Sequence, residues 1–293
     1  MDRVSPKVLV LLALLTVVWG TNWPLFKIAL DELPVLTFRA VSMTAACLML
    51  TAILLVRGES FAVPKGKWPA LIAASATNIF IWNIATSLAV LYIPSGHASV
   101  LAYTMPLWVA VIGFTVFGQR LTGRLLAAIL IGALAVLALM LPNFRSYDTA
   151  PAGLFWGLFA GFCWAVGTFI VKRTAWAGMG LSLTFWLVLI SLPPMVLGAL
   201  VIDGLPDHWP SAKAIIVTIY TGAIPMALGT ATWFALVKLL PTQVAALSSI
   251  AIPIVAIVSG VLALNEPLSA LQTIAIGSTV VALWLALIPG RQR

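Results

Sequence analysis

Ten apolar stretches, each close to the roughly 20 residues a helix needs to cross a bilayer, occupy this chain almost end to end. The expected spans are 7–29, 34–56, 68–91, 95–118, 121–141, 151–172, 179–201, 212–237, 242–264 and 268–288. With 62% hydrophobic and 8% charged residues, a soluble chain of this length could not cover its apolar surface, whereas a bilayer requires it. The connecting segments are too short to fold separately. The expected class is therefore an all-α integral membrane protein, with residues 1–293 as one membrane domain.

The second half of the chain echoes the first. Pro94 and Pro106 are twelve residues apart, as are Pro241 and Pro253, and Leu121 and Leu268 each follow the second proline by fifteen. A shift of 147 residues carries one segment onto the other, and also Leu36-Thr37-Phe38 onto Leu183-Thr184-Phe185. A shift of 145 carries Trp19 onto Trp164 and Lys27 onto Lys172. The repeats run from about 7 to 141 and from about 151 to 288. A doubled bundle with interrupted helices in matching places is the pattern of secondary transporters.

The basic residues fix an expected orientation. With the N-terminus inside, twelve of the sixteen Lys and Arg residues fall on the cytoplasmic side, and the outer loops receive only Arg145 and Lys213. This bias predicts cytoplasmic N- and C-termini. Five spans per repeat then place the second repeat upside down, giving ten transmembrane helices in two inverted five-helix repeats. The net charge of +8 does not indicate nucleic acid, because it sits in short segments between apolar spans. Lys7 precedes an apolar run as in a signal peptide. However, that run continues into Trp19-Gly20-Thr21-Asn22-Trp23-Pro24 without a small-residue cleavage site, so a retained first helix is expected.

Prolines and tryptophans locate a cavity. A mid-helix proline removes one donor and frees a carbonyl. Pro24, Pro106, Pro225 and Pro253 do so near Gly20, Ala102, Thr221 and Ser249, and Pro193 and Pro194 act likewise in span seven. Pro106 and Pro253 occupy equivalent places in the two repeats, so spans four and nine are expected to bend around a central site. Membrane tryptophans normally sit at the interface, where the indole N–H stays wet, and Trp68, Trp176 and Trp209 fit that place. Trp19, Trp82, Trp108 and Trp164 fall near mid-span and are expected to face the protein interior. Polar groups accompany them: Asn22, Asn78, Asn83, Tyr103 and Thr168. Asn78 and Trp82, and Trp164 and Thr168, are four residues apart, which on an α-helix is one face. Ser248 and Ser249 precede the bend at Pro253. The expected substrate site is Trp19, Asn22, Asn78, Trp82, Tyr103, Trp108, Trp164, Thr168, Ser248 and Ser249. Aromatic walls with neutral hydrogen-bonding groups suit small amphipathic molecules.

Other features bear on packing or on rival chemistry. Gly153, Gly157 and Gly161 allow close helix approach in span six. Cys47 and Cys163 read as small packing residues. His97 and His208 are isolated and define no metal site. Arg39, inside span two, could snorkel outward, pair with Asp31 or Glu32, or meet a substrate carboxylate. No paired intramembrane carboxylates, HExxH, CxxC or glycine-rich phosphate loop is present, so neither catalysis nor a cofactor is expected.

The segment Trp19-Gly20-Thr21-Asn22-Trp23-Pro24, the pair Phe38-Arg39 and the repeated Pro…Pro…Leu pattern resemble the EamA-type branch of the drug/metabolite transporter superfamily over essentially the whole chain. The deep tryptophans and Tyr103 resemble the bacterial exporters of aromatic and other neutral amino acids within it. That resemblance implies a bacterial inner-membrane location and alternating access, with a central cavity lined by helices one, three, four, six, eight and nine. Members often carry Gly-Glu-Arg after helix four. Here the stretch is Gly118-Gln119-Arg120, and the acid survives only as Glu266.

The expected function is export of small amphipathic metabolites, amino acids first, by a chain that is monomeric and has a small-molecule substrate and the lipid bilayer as its partners. A transporter of phosphorylated metabolites or nucleotide sugars would need several basic residues deep in the cavity, and only Lys27 and Arg39 come close. A lipid-modifying membrane enzyme would need acid and base groups within reach of each other. A channel would need a polar stripe or charged ring.

Overall fold

The computed structural model describes residues 6–118, 150–176, 178–204, 208–239 and 242–266, with isolated positions in spans five and ten. The side chains of 6–9 and 237–251 lie outside the described set. Among the described residues the chain is helical, with no strand. Seven helices are long and apolar enough to cross a membrane: Val10–Leu30, Val35–Arg57, Trp68–Tyr92, Ser95–Thr115, Pro151–Arg173, Leu181–Asp203 and Ala212–Leu236. They coincide within a few residues with seven of the ten expected spans. Span nine is also a helix, Thr242–Leu264. Spans five and ten fall largely outside the described residues.

Several spans are not uniform rods, so the helical segments are numbered α1 (Pro6–Leu30), α2 (Val35–Arg57), α3 (Trp68–Ser75), α4 (Trp82–Tyr92), α5 (Ser95–Ala102) and α6 (Met105–Thr115) in the first half. The second half contains α7 (Ala150–Arg173), α8 (Leu181–Gly198), α9 (Ala212–Thr221), α10 (Thr230–Leu239) and α11 (Thr242–Leu264). Wider π-helical turns join α3 to α4 (Ala76–Ile81), extend α8 (Ala199–Asp203) and join α9 to α10 (Gly222–Gly229). Pro225 lies inside the last of these. A proline has no N–H to give to the fourth carbonyl back and crowds it, and the wider turn relieves both problems without ending the helix.

Span four breaks outright. Tyr103 (φ −80°, ψ 9°) and Thr104 (φ −69°, ψ −4°) separate α5 from α6, and Pro106 follows at the start of α6. The break packs against the glycine run of α7. A methyl group on Gly153 would meet Ile93, one on Gly157 would meet Leu101, and one on Gly161 would lie 2.9 Å from the Ala102 carbonyl oxygen. The glycines therefore let α7 approach the backbone of helix four at its interruption. Correspondingly, α1 packs on α11, where a methyl on Gly20 would fall 2.5 Å from Val255. Further packing joins α2 to α8 and α4 to α7. Cys47 and Cys163 are both buried and free.

A cavity of tryptophans around one arginine

These interruptions surround a partly open cavity of about 70 Å³. Its walls come from α1 (Trp19, Asn22, Trp23, Phe26), α2 (Arg39), the α3–α4 rod (Ile79, Trp82, Asn83), the break in helix four (Tyr103, Met105), α7 (Trp164) and the α9–α10 rod (Thr221, Pro225, Met226, Thr230).

Five of the expected site residues meet here: Trp19, Asn22, Trp82, Tyr103 and Trp164. The rings form a connected aromatic surface. Trp164 lies edge-on to Trp19 at 6.4 Å and tilted against Trp82 at 4.6 Å, and Trp23 lies edge-on to Tyr103 at 6.3 Å. The Trp19 indole N–H donates to the carbonyl of Pro225 at 2.9 Å, which ties α1 to the π turn. That is the partner a buried indole requires.

Three expected residues lie elsewhere. Asn78 is 1% exposed and packs against Gly167 of α7 rather than facing the cavity. Asn78 and Trp82 would share a face on an α-helix, but the π turn over Ala76–Ile81 inserts an extra residue and rotates the register. Ile79, Trp82 and Asn83 then face inward together. Trp108 is half-buried beside Phe162 at 5.5 Å, beyond the break that reorients α6. Thr168 donates its hydroxyl to the Trp164 carbonyl at 2.8 Å and does not reach the cavity. Ser248 and Ser249 lie on α11 with side chains outside the described residues.

The cavity also holds residues that sequence reasoning left out of the site. Trp23 and Phe26 follow Trp19 at helical spacing and could have been found by extending its face by one turn. Thr221, Met226 and Thr230 depend on the π turn at Pro225 and carried no comparable signal. Arg39 neither snorkels nor pairs with a nearby acid. It is 1% exposed and hydrogen-bonds to α4. Glu32 instead accepts from the Ser211 N–H at 2.6 Å and its hydroxyl at 2.7 Å. Those two bonds hold the Glu32 carboxyl below its ordinary range.

Comparison with known proteins places this chain among transporters. A protein of Escherichia coli (strain K12) described as a probable amino-acid metabolite efflux pump is 28% identical over 272 residues, covering 90% of this chain and 89% of that protein. The uncharacterized transporter YvbV of Bacillus subtilis (strain 168) is 26% identical over 267 residues, covering 88% of this chain and 84% of its own length. A solved crystal structure shares the fold with a TM-score of 0.71 at 19% identity, over 96% of this chain and 97% of that one. The profile of the EamA-like transporter family matches twice, over residues 7–141 and 151–288. The chain is a multi-pass membrane protein and belongs to the EamA-like transporter family.

Proposed function

We propose that this transporter exports small amphipathic metabolites, aromatic and other neutral amino acids first among them, across the bacterial inner membrane by alternating access. One observation carries the reading. A cavity walled by Trp19, Trp23, Trp82, Trp164 and Tyr103 lies where several interrupted helices meet, and it accepts an apolar body while leaving polar groups for its other end. The Escherichia coli relative's description as a probable amino-acid metabolite efflux pump supports export of this class.

In this proposal two inverted five-helix repeats, 7–141 and 151–288, rock about the cavity in a single domain with both termini cytoplasmic. The packing of α1 on α11 in one half and of α7 on helix four in the other is the exchange such a two-fold relation requires. The Lys and Arg bias supports the orientation. An impermeant thiol reagent applied to whole cells should label a cysteine placed at His208 and miss one at Lys65.

Proteoliposome counterflow tests the transport reading. Vesicles loaded with unlabelled phenylalanine should accumulate labelled phenylalanine. Trp164→Ala and Tyr103→Ala should each lose at least about 1 kcal/mol of binding, roughly fivefold in affinity, from the lost aromatic contact. Trp108→Ala, whose ring packs outside the cavity, should transport nearly as wild type. Equal activity in all three variants would move the site elsewhere.

A further inference from the structure

Arg39 is a buried cation without a counter-charge among the described residues. Its Nε donates to the Asn83 carbonyl at 3.0 Å and the Ser87 hydroxyl at 2.6 Å, and Nη2 donates to the Thr86 hydroxyl at 3.1 Å. Its guanidinium carbon lies 3.9 Å from the Phe26 ring centre and 4.6 Å from that of Phe38. None of these groups is negative. Among the described residues the ion pairs are Lys27–Glu266 and Arg57–Glu59, and neither involves Arg39. Dipoles and ring faces lower the cost of burying a cation but do not cancel its charge.

The remaining hydrogen-bonding capacity points the same way. Nη1 of Arg39 has no hydrogen-bond partner among the described residues, and Arg39 lines the cavity. The cavity's Tyr103 hydroxyl and Trp82 indole N–H are likewise without a hydrogen bond to the described residues. Asn22 Oδ1, also on the cavity wall, is buried and unpartnered. The site thus combines a fixed positive charge, spare donors and one spare acceptor. A helix-to-helix pin would need only the bonds to α4, and those leave the charge and Nη1 unused.

We propose that Arg39 is the anion anchor of the cavity. It receives the single carboxylate of an otherwise apolar substrate, and Asn22 Oδ1 accepts from the substrate's ammonium or N–H. The inference rests on the transport reading and sharpens it: the substrate must carry a free carboxylate. One cation on the wall matches one negative charge and leaves a phosphate dianion half-balanced.

The test uses the full-length protein in proteoliposomes and the inhibition of labelled phenylalanine counterflow. The probes are phenylalanine, phenylalaninamide, 3-phenylpropionate and phenethylamine. Wild type should bind phenylalanine and 3-phenylpropionate, which carry a carboxylate, roughly 10- to 100-fold better than phenylalaninamide and phenethylamine, which lack one, the scale of a hydrogen bond to a charged group. Arg39→Gln should remove that preference while leaving phenylalaninamide and phenethylamine within about threefold. Arg39→Lys should retain part of it. Asn22→Ala should weaken phenylalanine relative to 3-phenylpropionate. A structural pin would instead lower all four probes together in Arg39→Gln, and that outcome overturns the anchor. The wild-type series stands even where Arg39→Gln is not monodisperse: equal inhibition by phenylalanine and its amide refutes the anchor and leaves transport intact. If wild type moves no amino acid at all, the transport reading fails and the anchor falls with it.

Discussion

Glu266 accepts hydrogen bonds from the Ser95 N–H at 2.8 Å and the Ser95 hydroxyl at 2.9 Å, although 171 residues separate them. The carboxylate just past α11 thereby caps the first turn of α5, and Lys27 of α1 lies 3.6 Å from it. Two further carboxylates do the same at this face. Asp203 accepts from the Thr37 N–H and hydroxyl at 2.7 and 2.9 Å at the start of α2, and Glu32 caps the start of α9 through Ser211. A carboxylate at a helix N-terminus meets unpaired N–H groups and the positive end of the helix dipole. Here each link also joins segments far apart in sequence, so the three together tie distant helices to one another at one face of the bundle.

Glu266→Gln should loosen that face. The cap is worth about 1 kcal/mol, which corresponds to roughly a fivefold change in the population with this face open. A cysteine at Met226, on the cavity wall, reports it once Cys47 and Cys163 are replaced. Its labelling by an impermeant reagent from the Lys27 side should quicken by about that factor. An unchanged rate would show that the cap does not gate the cavity.

The Glu32–Ser211 link predicts an acid-side dependence. Because the Glu32 pKa is lowered in the folded protein, its contribution is present above the ordinary carboxyl value of 4.5 and is lost as pH falls through the lowered one. Wild type should melt above Glu32→Gln at neutral pH, and the gap should close below pH 4.5. Ser211→Ala should shrink the gap across the whole range. A gap that widens on acidification would contradict the assignment.

Gly161→Leu should be strongly destabilising. Even a methyl there lies 2.9 Å from the Ala102 carbonyl oxygen and 3.0 Å from the Thr104 hydroxyl, so a larger side chain must push α7 off the break in helix four. Overpacking of this kind costs about 1–3 kcal/mol, and thermal unfolding in detergent measures it. Wild-type stability would mean that the break can shift freely.

Transport should proceed on the substrate gradient alone. Ion-driven transporters commonly place a titratable acid in mid-membrane. Among the described residues Asp31, Glu32, Glu59, Asp203 and Glu266 all lie at helix ends or in connecting segments. Efflux from loaded proteoliposomes should therefore need neither a proton nor a sodium gradient. Accumulation driven by an imposed pH gradient at fixed substrate gradient and clamped voltage, and abolished by an uncoupler, would refute this.

Local sequence by itself determined the membrane class, the positions of eight helices and which aromatic rings lie deep, because span length and hydrophobicity are properties of contiguous residues. It also located the interruptions: Pro106 stands at the start of α6, just past the break, and Gly153, Gly157 and Gly161 mark the surface that receives that break. The substitution of Gln119 for the family's acid is legible too, but Gln119 lies outside the described residues. Tertiary structure decided which way the deep residues face. Asn78 and Trp82 keep an α-helical spacing in sequence, yet the π turn between α3 and α4 rotates them apart, and an inserted residue leaves no mark in the periodicity. It also decided the fates of the charges. Whether Arg39 reaches solvent or stays between Phe26 and Phe38, and whether Glu266 finds Ser95, depends on how closely helices distant in sequence pack, which no local pattern encodes.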